Sequence, residues 1–401
     1  MVVLLALATT TAACSSNGSP SVAESSTTVA SSVPPTTASS SPAPSSPAAT
    51  ASCASRVLAS MSREQRVGQL LAVGLADNRV GPAQRLAIRS DHLGTVWFVH
   101  KSTAGTAGIR AVSDSVQALA TSKATAGVRL FVAANQEGGL IQSMTGTGFS
   151  TIPSALGQST LSTATLRRDA ERWGRQLRAA GINFDYAPVM DVVPPGTDDS
   201  NQPIGVLKRG YGHDPATVTA HGVAFLRGMA AAGVATSAKH FPGLGRVVGN
   251  TDFTAGVVDR VTTRDDPYLQ TFAASVQEGV PFVMVALATY TKIDPDHLAV
   301  FSPIVIRQLL REQLGFGGVV ISDDMGAAKA VATIAPGRRA IDFLLAGGDM
   351  VISKTIGPAD AMYRAILARA NADKTFARFV DSSTLRVLRA KQAAGLLPCG
   401  S

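Results

Sequence analysis

Residues 317–325 read GGVVISDDM: an apolar run, Val319-Val320-Ile321, carried without a break into Ser322 and two adjacent carboxylates, Asp323 and Asp324. Asp is poorly suited to a buried strand, so two of them at a strand's end cap a helix, bind a cation or do chemistry. The pattern of that run recurs. Short apolar runs also lie at 67–75, 93–100, 129–139, 182–192, 234–243, 281–290 and 347–353. Helix-patterned stretches such as ATLRRDAERWGRQLRAAG (164–181) and SPIVIRQLLREQLG (302–315) separate them. Gly181, Gly233 and Gly315 stand where helices should stop. Continuous apolar strands alternating with helices predict a parallel sheet covered on both faces. Eight such units predict an α/β chain closed into a (β/α)8 TIM-type barrel. A doubly wound open sheet is the competing arrangement. No G-x-G-x-x-G follows the first run, which counts against its dinucleotide-binding form.

In such a barrel the C-terminal ends of the strands carry the site. The polar residues that follow apolar runs here are Asn135-Gln136-Glu137, Asp191, Lys239-His240 and Asp323-Asp324. A Lys in a barrel mouth costs desolvation unless an anion or a set of hydroxyls satisfies it. Lys239 also opens KHFPGLGRVVGNTDF (239–253), which carries Gly243, Gly245 and Gly249. That loop is predicted to be mobile, able to swing Asp252 over a bound substrate.

With 401 residues, 45% hydrophobic and 16% charged, the chain can bury a sizeable core. A net charge of +8 favours anionic surfaces. There is no Lys/Arg run and no aromatic-interleaved basic stripe, so nucleic-acid binding is not expected. No His/Cys cluster has metal-ligand spacing, and no metal or other cofactor is expected. Residues 1–14, MVVLLALATTTAAC, are too short an apolar stretch to span a bilayer but fit the hydrophobic region of a signal segment. Thr11-Ala12-Ala13-Cys14 resembles the bacterial lipoprotein box. It implies lipidation at Cys14 and an exported chain anchored on the extracytoplasmic face of the cell membrane. Thr11 stands where that box has Leu, and no basic residue precedes the run; a plain signal peptide and an uncleaved anchor remain alternatives. Residues 15–52 are almost wholly Ser, Thr, Ala and Pro, a composition that predicts a disordered tether. The folded domain is then 53–401, with Cys53 and Cys399 at its two ends. In an exported protein they are expected to form a disulfide, two unpaired thiols being the alternative.

Taken in order, NQEGG (135–139), APVMDV (187–192), IGVLKRGYGHDP (204–215), KHFPGLGR (239–246) and GGVVISDDM resemble the motifs of glycoside hydrolase family 3. The similarity is greatest to its single-domain β-N-acetylglucosaminidase branch and runs over residues 62–353. It implies a retaining exo-β-N-acetylglucosaminidase, a monomer without cofactor, removing terminal GlcNAc from small carbohydrates such as cell-wall muropeptides. It makes Asp323 the nucleophile. Lys239, His240 and Arg209 become ligands of the sugar hydroxyls, together with Asp191 and with Asn135, which replaces the Asp of the family's DQEGG. Ser143, Leu244 and Leu287 stand where the family has Arg, His and His. Asn250-Thr251-Asp252 replaces the branch's Asp-Ser-His, whose His is the acid/base, and so assigns that role to Asp252. An unperturbed Asp, with a pKa of ~3.9, is ionised at neutral pH; desolvation on loop closure has to raise it. The other readings are a β-glucosidase or related exo-glycosidase of the same family, and a catalytically weak sugar-binding lipoprotein.

Overall fold

The structure, a computed structural model, describes residues 52–399. The expected signal segment with Cys14, and the expected tether up to residue 51, lie outside the described residues. Ser52 is described: it caps the helix Cys53–Ser60 by accepting a hydrogen bond from the Ser55 N–H.

Each of the eight apolar runs supplies one parallel strand. In chain order these are β1 (Leu71–Leu75), β2 (Thr95–Phe98), β3 (Phe131–Ala134), β4 (Phe184–Asp185), β5 (Ala235–Phe241), β6 (Phe282–Val285), β7 (Val319–Asp324) and β8 (Met350–Ser353). Each pairs with the next, and β8 returns to β1 in the register Leu71 to Val351. That last pairing closes the barrel and excludes the open sheet. The strands are shorter than the runs: at β1 and β8 the run begins in the preceding helix or its cap, and at β3 to β6 its end turns into a site loop. At β4 only two residues pair, because Pro188 has no N–H to give the ladder; Val189 then makes a single bridge to Lys239.

Aromatic rings fill the barrel below the mouth. Phe184 and Phe282 stack at 4.2 Å, and Phe131 lies 5.4 Å from each. Helices cover the outside. Thr163–Ala179, capped by Ser162, buries Leu166, Ala170, Trp173 and Leu177 on one face, the spacing of an amphipathic helix. Gly181, Gly233 and Gly315 all take the left-handed φ that ends a helix. Opposite the mouth, the last helix (Lys374–Ala393) inserts Lys391 below the strands. Its ammonium donates to Gln69 Oε1 and the Gly94 carbonyl at 2.7 Å and to the Arg129 carbonyl at 3.0 Å. A disulfide between Cys53 and Cys399, with Cα atoms 6.0 Å apart, ties the first helix to the tail at this end.

Two irregularities decide what enters the mouth. Against β6, Lys239 lies opposite Met284 and Phe241 opposite Val285, so β5 carries one extra residue at His240. Against β8, Ile321 lies opposite Met350 and Asp324 opposite Ile352, so β7 also carries one extra. In a regular strand, neighbours point to opposite faces; a bulge re-aims one of them. Hence Lys239 and His240, and likewise Asp323 and Asp324, all line the mouth.

Candidate active site

The C-terminal ends of the strands surround a cavity of about 410 Å³, in the size range of small-molecule sites. Asn135, Arg209, Lys239, His240, Asp252 and Asp323 all line it. Asp191 does not. The sequence reading set it among the sugar ligands, but it is fully buried behind His240. One of its oxygens accepts the His240 N–H at 3.1 Å and the Leu244 N–H at 2.9 Å, and the other lies 2.8 Å from His240 Nδ1. With both oxygens engaged, Asp191 orients the imidazole and leaves Nε2 toward the cavity.

A buried ion cluster forms one wall. Glu137, which the sequence reading noted at the strand end but did not place among the ligands, sits at its centre. Arg209 holds it with a two-pronged fork, Nε to Oε2 and Nη2 to Oε1, both 2.8 Å. Lys239 Nζ reaches Glu137 Oε1 at 2.6 Å and donates to Asn135 Oδ1 at 2.8 Å. Burial opposes the Glu137 charge, but Arg209 and Lys239 outweigh it and hold the carboxyl down at about 2. The fork fixes Arg209 with its remaining edge near His240 Nε2, 3.4 Å away. Asp185, at the end of β4, accepts the Gln136 N–H at 2.9 Å, while its other oxygen has no partner among the described residues. Burial pushes this carboxyl up to about 7, against the pull of the Gln136 N–H and Lys239.

On the other wall, β7 presents the two carboxylates. Ser322 Oγ accepts the Ile352 N–H at 2.9 Å, stitching β7 to β8. Asp324 Oδ1 accepts the N–H groups of Gly326, at 2.9 Å, and Lys354, at 2.8 Å, so this residue shapes the turn. Asp323, half-buried, accepts the Asp324 N–H at 2.8 Å and no other hydrogen bond among the described residues. Its carboxylate is the freer of the two and lines the cavity.

Asp252 completes the site from the loop after β5. The loop predicted to be mobile is docked here: the Lys329 N–H donates to the Asp252 carbonyl and the Ala330 N–H to the Thr251 carbonyl, both at 3.1 Å. Asn250 Oδ1 accepts the Asp252 N–H at 2.9 Å and fixes the turn. Residue 252 is solvent-exposed at the rim, yet its carboxyl stands within the walls of the mouth. Desolvation there, then repulsion by Asp323 and Asp324, pushes it up to about 6, against Arg209 and His240. One carboxyl that holds its proton up to about pH 6 therefore shares a cavity with another that is open to attack a substrate, the pairing that acid/base-assisted displacement requires.

Trp97, Tyr186, Phe253 and Lys354 also line the cavity and were not singled out from sequence. Trp97 and Tyr186 sit within apolar runs and read as core; Phe253 and Lys354 directly follow a singled-out residue and a strand end. Only Glu137, inside NQEGG, carried a clear signal.

The model of the glycosyl hydrolase family 3 N-terminal domain matches residues 62–390 of the chain. The crystal structure of a β-N-acetylhexosaminidase from Beutenbergia cavernae superposes with a TM-score of 0.81 at 48% identity, covering 83% of this chain and 99% of that one. A glycoside hydrolase family 3 β-N-acetylglucosaminidase from Paenibacillus sp. gives 0.76 at 27% identity, covering 85% of this chain and 64% of that one. A β-hexosaminidase of Vibrio cholerae is 34% identical over 245 residues, 60% of this chain and 71% of that protein.

Proposed function

The chain belongs to glycosyl hydrolase family 3, and on that premise we propose that it is a retaining exo-β-N-acetylhexosaminidase acting on terminal GlcNAc of small cell-wall fragments. The observation that carries this reading is the shared cavity of Asp323 and Asp252, facing the Glu137-centred cluster. Asp323 attacks the anomeric carbon. The glycosidic C–O bond breaks, its electron pair goes to the leaving oxygen, and Asp252 gives that oxygen its proton. In the second step a water passes a proton to Asp252 as it attacks the same carbon, and the ester to Asp323 breaks. Two inversions at one carbon give net retention.

Lys239 and Arg209 donate to sugar hydroxyls, and Asn135 adds an amide that both donates and accepts. The aromatic floor and the buried cluster close the inner end of the cavity, which suits a chain terminus rather than an internal sugar. Cys14 is the lipidated residue, and the chain stands off the extracytoplasmic face of the membrane on its Ser/Thr/Pro/Ala tether. The support for that is the sequence of residues 1–52. The test of the enzymatic reading is turnover of a nitrophenyl N-acetyl-β-glucosaminide followed by proton NMR. The first-formed sugar is expected to be the β-anomer; an α-anomer would overturn retention, and no turnover would overturn the hydrolase reading.

A further inference from the structure

The cations that line the cavity are not equivalent. Arg209 and Lys239 are paired with Glu137, and His240 with Asp191. Among the described residues lining the cavity, Lys354 is the one cation without a carboxylate partner. It directly follows β8. Its backbone N–H is held by Asp324 Oδ1 at 2.8 Å, while its side chain is exposed at the rim. Phe253, 80% exposed, also stands on the rim, next in sequence to Asp252.

Position decides what these two residues can meet. Asp252 has to reach the glycosidic oxygen, and it sits on the rim loop. The sugar bound against Lys239, His240 and Arg209 therefore points its leaving group outward, past Phe253 and Lys354. That zone has a negative bias even with Asp252 protonated, because Asp323 and Asp324 share it without ion-pair partners among the described residues. An anionic leaving group would be repelled unless a cation offset that field. A single ammonium is a compact point charge with three donors, which fits one carboxylate.

We propose that Lys354, with Phe253 as a stacking wall, forms a leaving-group subsite that favours an aglycone carrying a carboxylate. The inference rests on the hydrolase reading above and assigns the aglycone specificity of that same site. An exposed pair of opposite charges contributes up to about 1 kcal/mol, roughly a two- to fivefold preference, and salt screens it.

The experiment compares kcat/KM for two substrates that differ in one charge: GlcNAc β-1,4-linked to a sugar bearing a lactyl carboxylate, and its methyl ester. The wild-type enzyme should prefer the acid by about two- to fivefold at low salt, with the preference shrinking in about 0.5 M NaCl. Lys354→Met should bring the ratio to about one, Lys354→Glu should invert it, and Lys354→Arg should keep it. Equal rates on acid and ester in the wild type, or an unaltered ratio in Lys354→Met, would overturn the subsite. The wild-type comparison needs no variant and stands if one fails to fold. Absence of turnover on a nitrophenyl glycoside would sink the hydrolase reading and the subsite with it, whereas turnover with indifference to aglycone charge would sink the subsite alone.

Discussion

The backbone carbonyl of Asp252 accepts a 3.1 Å hydrogen bond from the N–H of Lys329, which lies six residues beyond Asp323. The loop that carries the acid is thereby docked on the segment that follows the nucleophile's strand. One hydrogen bond of this kind is worth about 1 kcal/mol. It holds the loop without locking it, which suits a lid that must open for product release.

Lys329→Pro tests that dock. Lys329 is the first residue of a short helical turn, and Ala328 before it is extended, with φ −60° and ψ 136°. Proline fits both conditions and removes the N–H; Lys329→Ala, which keeps the N–H, controls for the lost side chain. The variant should fold normally and lose about fivefold in kcat/KM on natural disaccharides. Wild-type rates would mean the dock does not position Asp252.

The pH profile follows from Asp252. An acid raised to about 6 is protonated below that pH and ionised above it. Hence kcat/KM should fall about tenfold per unit on the alkaline side of pH ~6. The fall should be shallower for a nitrophenyl glycoside, whose leaving group needs little protonation. Identical alkaline limbs for both substrates would place the titrating group elsewhere.

Glu137→Gln should be costly twice over. It leaves Arg209 and Lys239 buried without their shared carboxylate, and breaking a buried pair destabilises by roughly 3–5 kcal/mol. A lower melting temperature should accompany at least a tenfold loss of kcat/KM. The sign with pH is fixed, because the Glu137 carboxyl is depressed to about 2 in the fold. Its stabilisation is complete above pH ~4.5 and fades as the pH falls toward 2.

Asp185 has the opposite sign. Its folded pKa, raised to about 7, means the native state holds a proton that the unfolded chain has released. Stability from this group is therefore complete below its ordinary value and is lost as the pH rises toward 7, at about 1.4 kcal/mol per unit. Asp185→Asn should flatten the melting temperature between pH 4 and 8 relative to wild type. Parallel curves would contradict the assignment.

The barrel was legible because each strand is an apolar run bounded by helix signals, from VGQLLAVGL through GGDMVIS. The adjacency of Asp323 and Asp324 was legible too, but not its cause, since a bulge adds a residue without changing the local composition. Asp191 misled for a related reason. A carboxylate at a strand end reads the same whether it faces the cavity or holds a histidine from behind, and only the positions of the His240 and Leu244 N–H groups decide. Lys354 was invisible because its meaning lies in what the other cations are paired with, and ion pairing across the ends of three strands leaves no trace in sequence.

The account stands or falls on Asp323. An activated fluoro-sugar analogue of GlcNAc slows the second step and leaves the sugar esterified to the nucleophile. Tryptic digestion then places Asp323 in the peptide 312–329, EQLGFGGVVISDDMGAAK, where tandem mass spectrometry can assign the modified residue. The account predicts one sugar on Asp323, absent in Asp323→Asn. A sugar on Asp324, on Asp252 or on any other carboxylate would contradict it.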